Sequence, residues 1–230
     1  MNQTNNGEKY GVLQYAHPHA FELAGRTLAF ADEQGNSYTL AFADTHTVRF
    51  TAPGVNELSQ YEAEKLDEST YLVAFGLVFR AAVIDMESGC AAFTKEEKGE
   101  YVLCRTAQAA AQCFALTDEM TDTYVRWVYG CDRSIVNEHI GGGKCRCAWS
   151  PRQEIVRTVP VTEIKLKDSF YLVELNASFP RGVDFPSSYT RNIMVQNYDK
   201  MEFVGCMYSP TTNQTLMTGG YGLDPATQKI

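Results

Sequence analysis

The chain contains KLDESTYLVAF at Lys65–Phe75 and KLKDSFYLVEL at Lys165–Leu175, and the two agree without a gap at Lys, Leu, Ser, Tyr, Leu and Val. Each reads as a strand. In the first copy, Ser69, Tyr71, Val73 and Phe75 share one face, and Thr70, Leu72 and Ala74 share the other. In the second copy, Ser169, Tyr171, Val173 and Leu175 repeat the first face, and Glu174 enters the opposite one. A strand apolar on both faces fits a sheet with one side in a core and the other partly covered.

The repetition continues outward. Arg26–Phe30 precedes the first copy as Arg126–Gly130 precedes the second, and Ser37–Phe42 with Thr47–Phe50 matches Ser134–Ile140 with Lys144–Cys147. After the shared strand come Ala81–Met86 with Ala91–Thr94, and Arg191–Asn197 with Met201–Tyr208. Turn signals at Glu33–Asn36, Gly141–Gly143 and Asn197–Lys200 separate these runs. The spacing predicts an all-β chain of two tandem antiparallel units, each of roughly eight short strands. Their expected bounds are residues 17–105 and 118–209. Between them lies a linker, 106–117, whose Thr106–Gln112 segment is Ala-rich and predicts a short helix or turn. A Thr-, Gly- and Pro-rich tail, 210–230, reads as loop. Eight strands closed into a barrel leave no edge and enclose room for one small ligand; an open sandwich is the alternative.

Composition narrows the partners. The 230 residues are 44% apolar with 13 Tyr and 12 Phe, enough for packed cores. A formal charge of -8 and the absence of a basic run argue against nucleic acid and anionic membranes. The polar start MNQTNNGEKYG lacks the order of a signal peptide, and no apolar stretch approaches the ~20 residues of a membrane span. Seven cysteines without regular spacing read as reduced thiols. The expectation is a cytoplasmic protein with a small-molecule ligand; homo-oligomer formation stays open.

The run LAGRTLAFADEQGNSYTLAFADTHTVRF with KLDESTYLVAF resembles the N-terminal unit of the MoaF-like proteins (molybdenum cofactor biosynthesis protein F-like). VRWVYG, VNEHI, KLKDSFYLVEL and MEFVGCMY resemble their C-terminal unit. The likeness runs over roughly residues 17 to 209 and implies a lipocalin-like (calycin) fold, without an established reaction. The N-terminal unit is also distantly similar to the phenolic acid decarboxylases. Their first-strand tyrosines, however, are Ala29 and Ala31 in this chain, and their third-strand arginine is Thr51. Their glutamate falls near Gln60, with Glu62 and Glu64 displaced. Decarboxylase chemistry is therefore not carried over.

Candidate polar residues concentrate in the second unit. Glu138 and His139 are neighbours on one strand, so at most one faces a lumen. A lumenal histidine beside a carboxylate, with Glu174 as another candidate, suits general acid–base chemistry. Arg146 or Arg191 could hold a ligand carboxylate, among the aromatic residues Trp127, Tyr129 and Trp149. The competing reading is cross-strand ion pairs facing solvent. In the first unit Tyr38, Arg49 and Tyr71, with Glu62, form a weaker set, and tyrosines in strands are ordinary β-propensity.

No metal site is expected. His17-Pro18-His19 is stiffened by its proline, and Cys145, Cys147 and Cys206 read as small apolar filling. Gly141-Gly142-Gly143-Lys144 fails the phosphate-loop pattern and reads as a hairpin turn. Two function classes remain. One is a binder holding an aromatic acid or amine-derived metabolite in a barrel lumen. The other is a cofactor-free lyase or isomerase acting on such a compound. An interaction module is a third, plainer reading.

Overall fold

A computed structural model describes residues 17–109, 113–130, 133–150, 156–176, 191–209 and 213–223. The chain divides into two compact units at Ala115/Leu116. The first carries β1 (Thr27–Asp32), β2 (Ser37–Phe42), β3 (Thr47–Ala52), β4 (Val55–Lys65), β5 (Thr70–Phe75), β6 (Arg80–Asp85), β7 (Cys90–Thr94) and β8 (Tyr101–Arg105). A two-residue strand, β9 (Ala115–Leu116), precedes the second set. That set is β10 (Tyr124–Gly130), β11 (Arg133–Gly141), β12 (Lys144–Ser150), β13 (Val156–Lys167), β14 (Phe170–Leu175), β15 (Arg191–Asn197), β16 (Glu202–Ser209) and β17 (Gln214–Leu223).

Each set of eight strands is an antiparallel barrel closed on itself. β1 meets β8 through Ala31↔Arg105 and Asp32↔Cys104. β10 meets β17 through Arg126↔Leu223, Trp127↔Gly222 and Val128↔Tyr221. The repeated eleven residues hold the same place in both barrels, the end of the fourth strand, a turn and the fifth strand. The pair Lys65↔Tyr71 of β4 and β5 returns as Lys165↔Tyr171 of β13 and β14.

Aromatic rings crowd the interior of the first barrel. Phe42, Phe50, Phe75 and Phe93 turn inward with Leu40, Val48, Val73 and Ile84. Phe50 and Phe93 stack with ring centroids 5.7 Å apart. Small residues make room for these rings, since Ala82 stands directly opposite Phe93. Cys90 is joined to Cys113 by a disulfide. This corrects the expectation of reduced thiols throughout, while Cys104, Cys145, Cys147 and Cys206 are free and buried.

The expected loop-like tail is also corrected, because Gln214–Leu223 is a full strand. The run Gly219-Gly220-Tyr221-Gly222 looks like a loop but answers to close packing. A Cβ on Gly220 would stand 1.9 Å from the Val128 carbonyl oxygen and 2.7 Å from the Phe203 ring. One on Gly222 would stand 2.8 Å from Trp127. Glycine in a strand marks such an approach. In the linker, Thr106–Ala109 forms a turn rather than a helix, closed by Ala109 N–H donating to Thr106 O; residues 110–112 lie outside the described set. Gly141, Gly142 and Gly143, with φ of 78°, 60° and 66°, make the hairpin between β11 and β12 that the glycine run predicts. Among the described residues no helix is long and apolar enough to cross a membrane.

Candidate functional site

Strand alternation decides which side chains reach the lumen of the second barrel. Trp127 opposes Ile135 and Ile135 opposes Trp149, and all three belong to one buried cluster. The same face therefore carries Asn137 and His139 on β11, Cys145 and Cys147 on β12, and Glu163 on β13. His139 turns inward and its neighbour Glu138 outward. Glu138 meets Arg146, its register partner, at 2.9 Å on the exposed face.

β14 sends Val173 and Leu175 inward and Glu174 outward. Glu174 is held by Arg191, with Nε at 2.7 Å from Oε1 and Nη2 at 3.0 Å from Oε2, and both side chains are buried. The two candidates chosen to hold a ligand carboxylate thus lie off the lumen, each engaged with a glutamate. In the first barrel, Arg49 is exposed and donates to Asn56 at 3.0 Å. Tyr38 stacks on Phe93, and the Tyr71 hydroxyl donates to Glu22 at 3.2 Å. They form no common site.

At the closed end of the second barrel, His139 Nδ1 lies 2.5 Å from Glu163 Oε1. Glu163 was missed in the sequence because its alternation is masked by Thr162, Lys165 and Lys167 along a charged strand. Its inward parity with Val159 and Val161 was the available signal. The segment before β10 covers this end, with Met120 in the core and Asp122 N–H donating to His139 O. Because the backbone of His139 bonds toward that segment, it forms a non-hydrogen-bonded pair with Cys145, the kind in which side chains approach closest. The Cys147 thiol donates to Cys145 at 3.6 Å. That contact, followed by burial, pushes the Cys147 pKa up and keeps it a thiol. Burial likewise raises the Tyr198 phenol, whose hydroxyl donates to Gln196 Oε1 at 3.2 Å.

Toward the other end lies a hollow of about 280 Å³, solvent at its mouth included, lined by Tyr129, Ile135, Trp149, Asn192, Met194, Phe203, Met207 and Thr218. Among these lining residues none is charged. The hydroxyl of Thr218 has no hydrogen-bond partner, nor does either side-chain atom of Asn137, one inward position below Ile135. Both residues are buried, Asn137 completely. Leaving such groups unmatched costs about 1–3 kcal/mol each.

Register equates the two barrels position by position. Leu40 opposes Phe50 and Phe42 opposes Val48 in the first; Asn137 opposes Cys147 and His139 opposes Cys145 in the second. Two rings and a leucine that fill one lumen are replaced in the other by an amide, an imidazole and a thiol. No model of a known protein family matches the chain, and no curated protein matches it.

Proposed function

We propose that the second barrel binds a small organic metabolite in its lumen, and that the chain is a MoaF-like protein of calycin type. The observation that carries this reading is the hollow bounded by Tyr129, Trp149, Met194 and Met207, beside buried polar atoms of Asn137 and Thr218 without partners. The enclosed part of the hollow is about 20 Å³, room for about one water, so a bound ring has to displace the flexible methionine side chains that line it. Aromatic rings and methionine sulfurs favour an aromatic body.

The paired His139 and Glu163 favour a second reading, a cofactor-free lyase or isomerase. A carboxylate on Nδ1 fixes the tautomer and leaves Nε2, which has no partner, as the proton acceptor. Four residues separate Ile135 at the hollow from His139, about 13 Å along the strand. A single-ring ligand in the hollow does not span that distance, so binding is the preferred function.

Native mass spectrometry of gently purified protein, followed by a thermal-shift screen of aromatic acids, amines and their neutral analogues, tests this. A retained mass, or a melting shift that follows mass action, is expected with ring compounds. Silence across the panel would refute the lumen reading. Turnover of any bound compound, lost in His139→Ala with binding kept, would establish the enzyme instead.

A further inference from the structure

We propose that the segment Leu116–Thr123 is a lid on the second barrel, and that the window beneath it is the way to His139 and Glu163. This inference is independent of the hollow toward the other end of the barrel.

The wall of the barrel has a gap at this end. β12 begins at Lys144, opposite Pro160 of β13, and the hairpin before it reaches only to Val161, whose N–H donates to Gly143 O. Beyond Val161 no residue of β12 stands between β11 and β13. His139 of β11 and Glu163 of β13 therefore meet directly across the opening, Nδ1 to Oε1 at 2.5 Å. The strap closes the gap along the rim. Thr117 N–H donates to Glu163 O on one side; on the other, Asp122 N–H donates to His139 O and His139 N–H to Thr123 O. The two residues that meet inside are thus the two whose backbones hold the strap. With it in place their side chains are 1% and 9% exposed.

The strap is built to move as a piece. Of its residues only Met120 is buried. Thr121 N–H donates to Asp118 O and Thr123 N–H to Met120 O, so its own turns survive a hinge motion at its ends. Asp122 takes a left-handed backbone, φ 66°, which costs a residue with a side chain energy that opening relieves. Outside, one carboxylate latches it: Glu119 lies 2.6 Å from Lys165 Nζ and accepts from the Tyr171 hydroxyl at 3.1 Å. A segment with one buried side chain and exposed backbone bonds opens at lower cost than the barrel unfolds. Closed, the strap keeps water from the pair. Open, it admits a small solute to His139 Nε2, which has no partner, as gating lids do.

Diethyl pyrocarbonate, a small electrophile that acylates neutral imidazole, reads the opening on the full chain when its adduct at His139 is measured by peptide mass mapping. Amide exchange of Asp122 and His139 is followed by NMR at low urea. Both are expected to proceed by local opening, with rates nearly independent of urea well below the tryptophan-reported transition. Glu119 is exposed, so Glu119→Gln cuts the latch without disturbing the core. It should raise both rates about 3- to 10-fold and leave the urea midpoint in place. Lys165→Gln should raise them in the same direction. His46, exposed in the first barrel, should react equally in all three proteins. Parent rates at His139 in both latch variants, or rates that rise with urea only along the unfolding transition, would overturn the lid. A parent His139 that reacts as fast as His46 would overturn it too, since no closed state would then protect the imidazole.

Discussion

Replacing Arg191 with methionine tests how the second barrel tolerates its buried charge. Glu174 and Arg191 are joined by two bonds, 2.7 and 3.0 Å long, with side-chain exposures of 0% and 6%. Arg191→Met removes the fork and leaves the buried Glu174 carboxylate without that cation. Removing one partner from such a pair costs about 3–5 kcal/mol. With a urea m-value of about 2 kcal/mol/M for a domain this size, the midpoint falls by about 1.5–2.5 M. Both tryptophans of the chain, Trp127 and Trp149, lie in the second barrel, so fluorescence excited at 295 nm reports that barrel alone. The double variant Glu174→Leu/Arg191→Met closes the cycle. Removing both charges together should restore most of the loss, since apolar replacement of a buried pair is often neutral or stabilising. A loss under about 1 kcal/mol for Arg191→Met, or a double variant as weak as the single one, would refute the argument. Either result would mean that water reaches Glu174 or that the pair contributes no coupling.

Gly220→Ala places a methyl group against the Val128 carbonyl at the seam between β10 and β17; fluorescence-monitored urea unfolding should show a loss of at least about 3 kcal/mol, as in severe overpacking. Cys90→Ser opens the bridge to Cys113, 23 residues away, and should destabilise the first barrel by about 3 kcal/mol on the loop-entropy relation. Calorimetry should show that transition falling while the tryptophan-reported one stays. Burial, reinforced by the Glu62 charge, raises the Glu64 carboxyl to about 9. Because the unfolded group ionises near its ordinary value, stability is intact below about pH 4.5 and declines as pH rises toward 9. Glu64→Gln should therefore stabilise the first barrel at pH 8, by on the order of 3 kcal/mol, and change little at pH 4. A pH-independent effect in calorimetry would contradict a neutral, buried Glu64.

The duplicated fifth strand carried much of the fold in plain view. Its alternation held in both copies, and the strand pairs around it kept their spacing. Closure was not legible there, because it depends on β8 meeting β1 and on β17 meeting β10. The glycines of β17 hid the second seam. Their meaning lies in the rings of Phe203 and Trp127 that press on them, and those rings are distant in sequence. The disulfide was hidden for a similar reason: Cys90 and Cys113 share no telling spacing, and only the course of β7 and the chain after β8 brings them together. At the site, His139 was visible as a polar residue on a strand. Its partner was not, because Glu163 stands on β13, two strands away and 24 residues on in sequence. Glu174 and Arg191 were visible as charges, but parity of the strand, one residue off the lumen face, decides that they hold each other.

The duplication itself explains why the two interiors differ in character. Two copies of one fold need only one to carry stability through a filled core, and the other is then free to lose rings. At matched register positions the exchange is specific. Phe50 becomes Cys147, Leu40 becomes Asn137, and Phe42 becomes His139. On the fourth strand Ala63 becomes Glu163, opposite Val73 and Val173, and on the outer face Glu64 becomes Ile164, opposite Leu72 and Leu172. Polar character thus moves from the outside of the first barrel to the inside of the second. A substitution that only relaxed packing would put alanine or valine at these positions and leave a dry cavity, which costs stability and selects nothing. An amide, an imidazole and a carboxylate each carry a desolvation cost when buried. Their gathering on one inward face is therefore not explained by packing alone, and it supports the proposed binding role of this barrel.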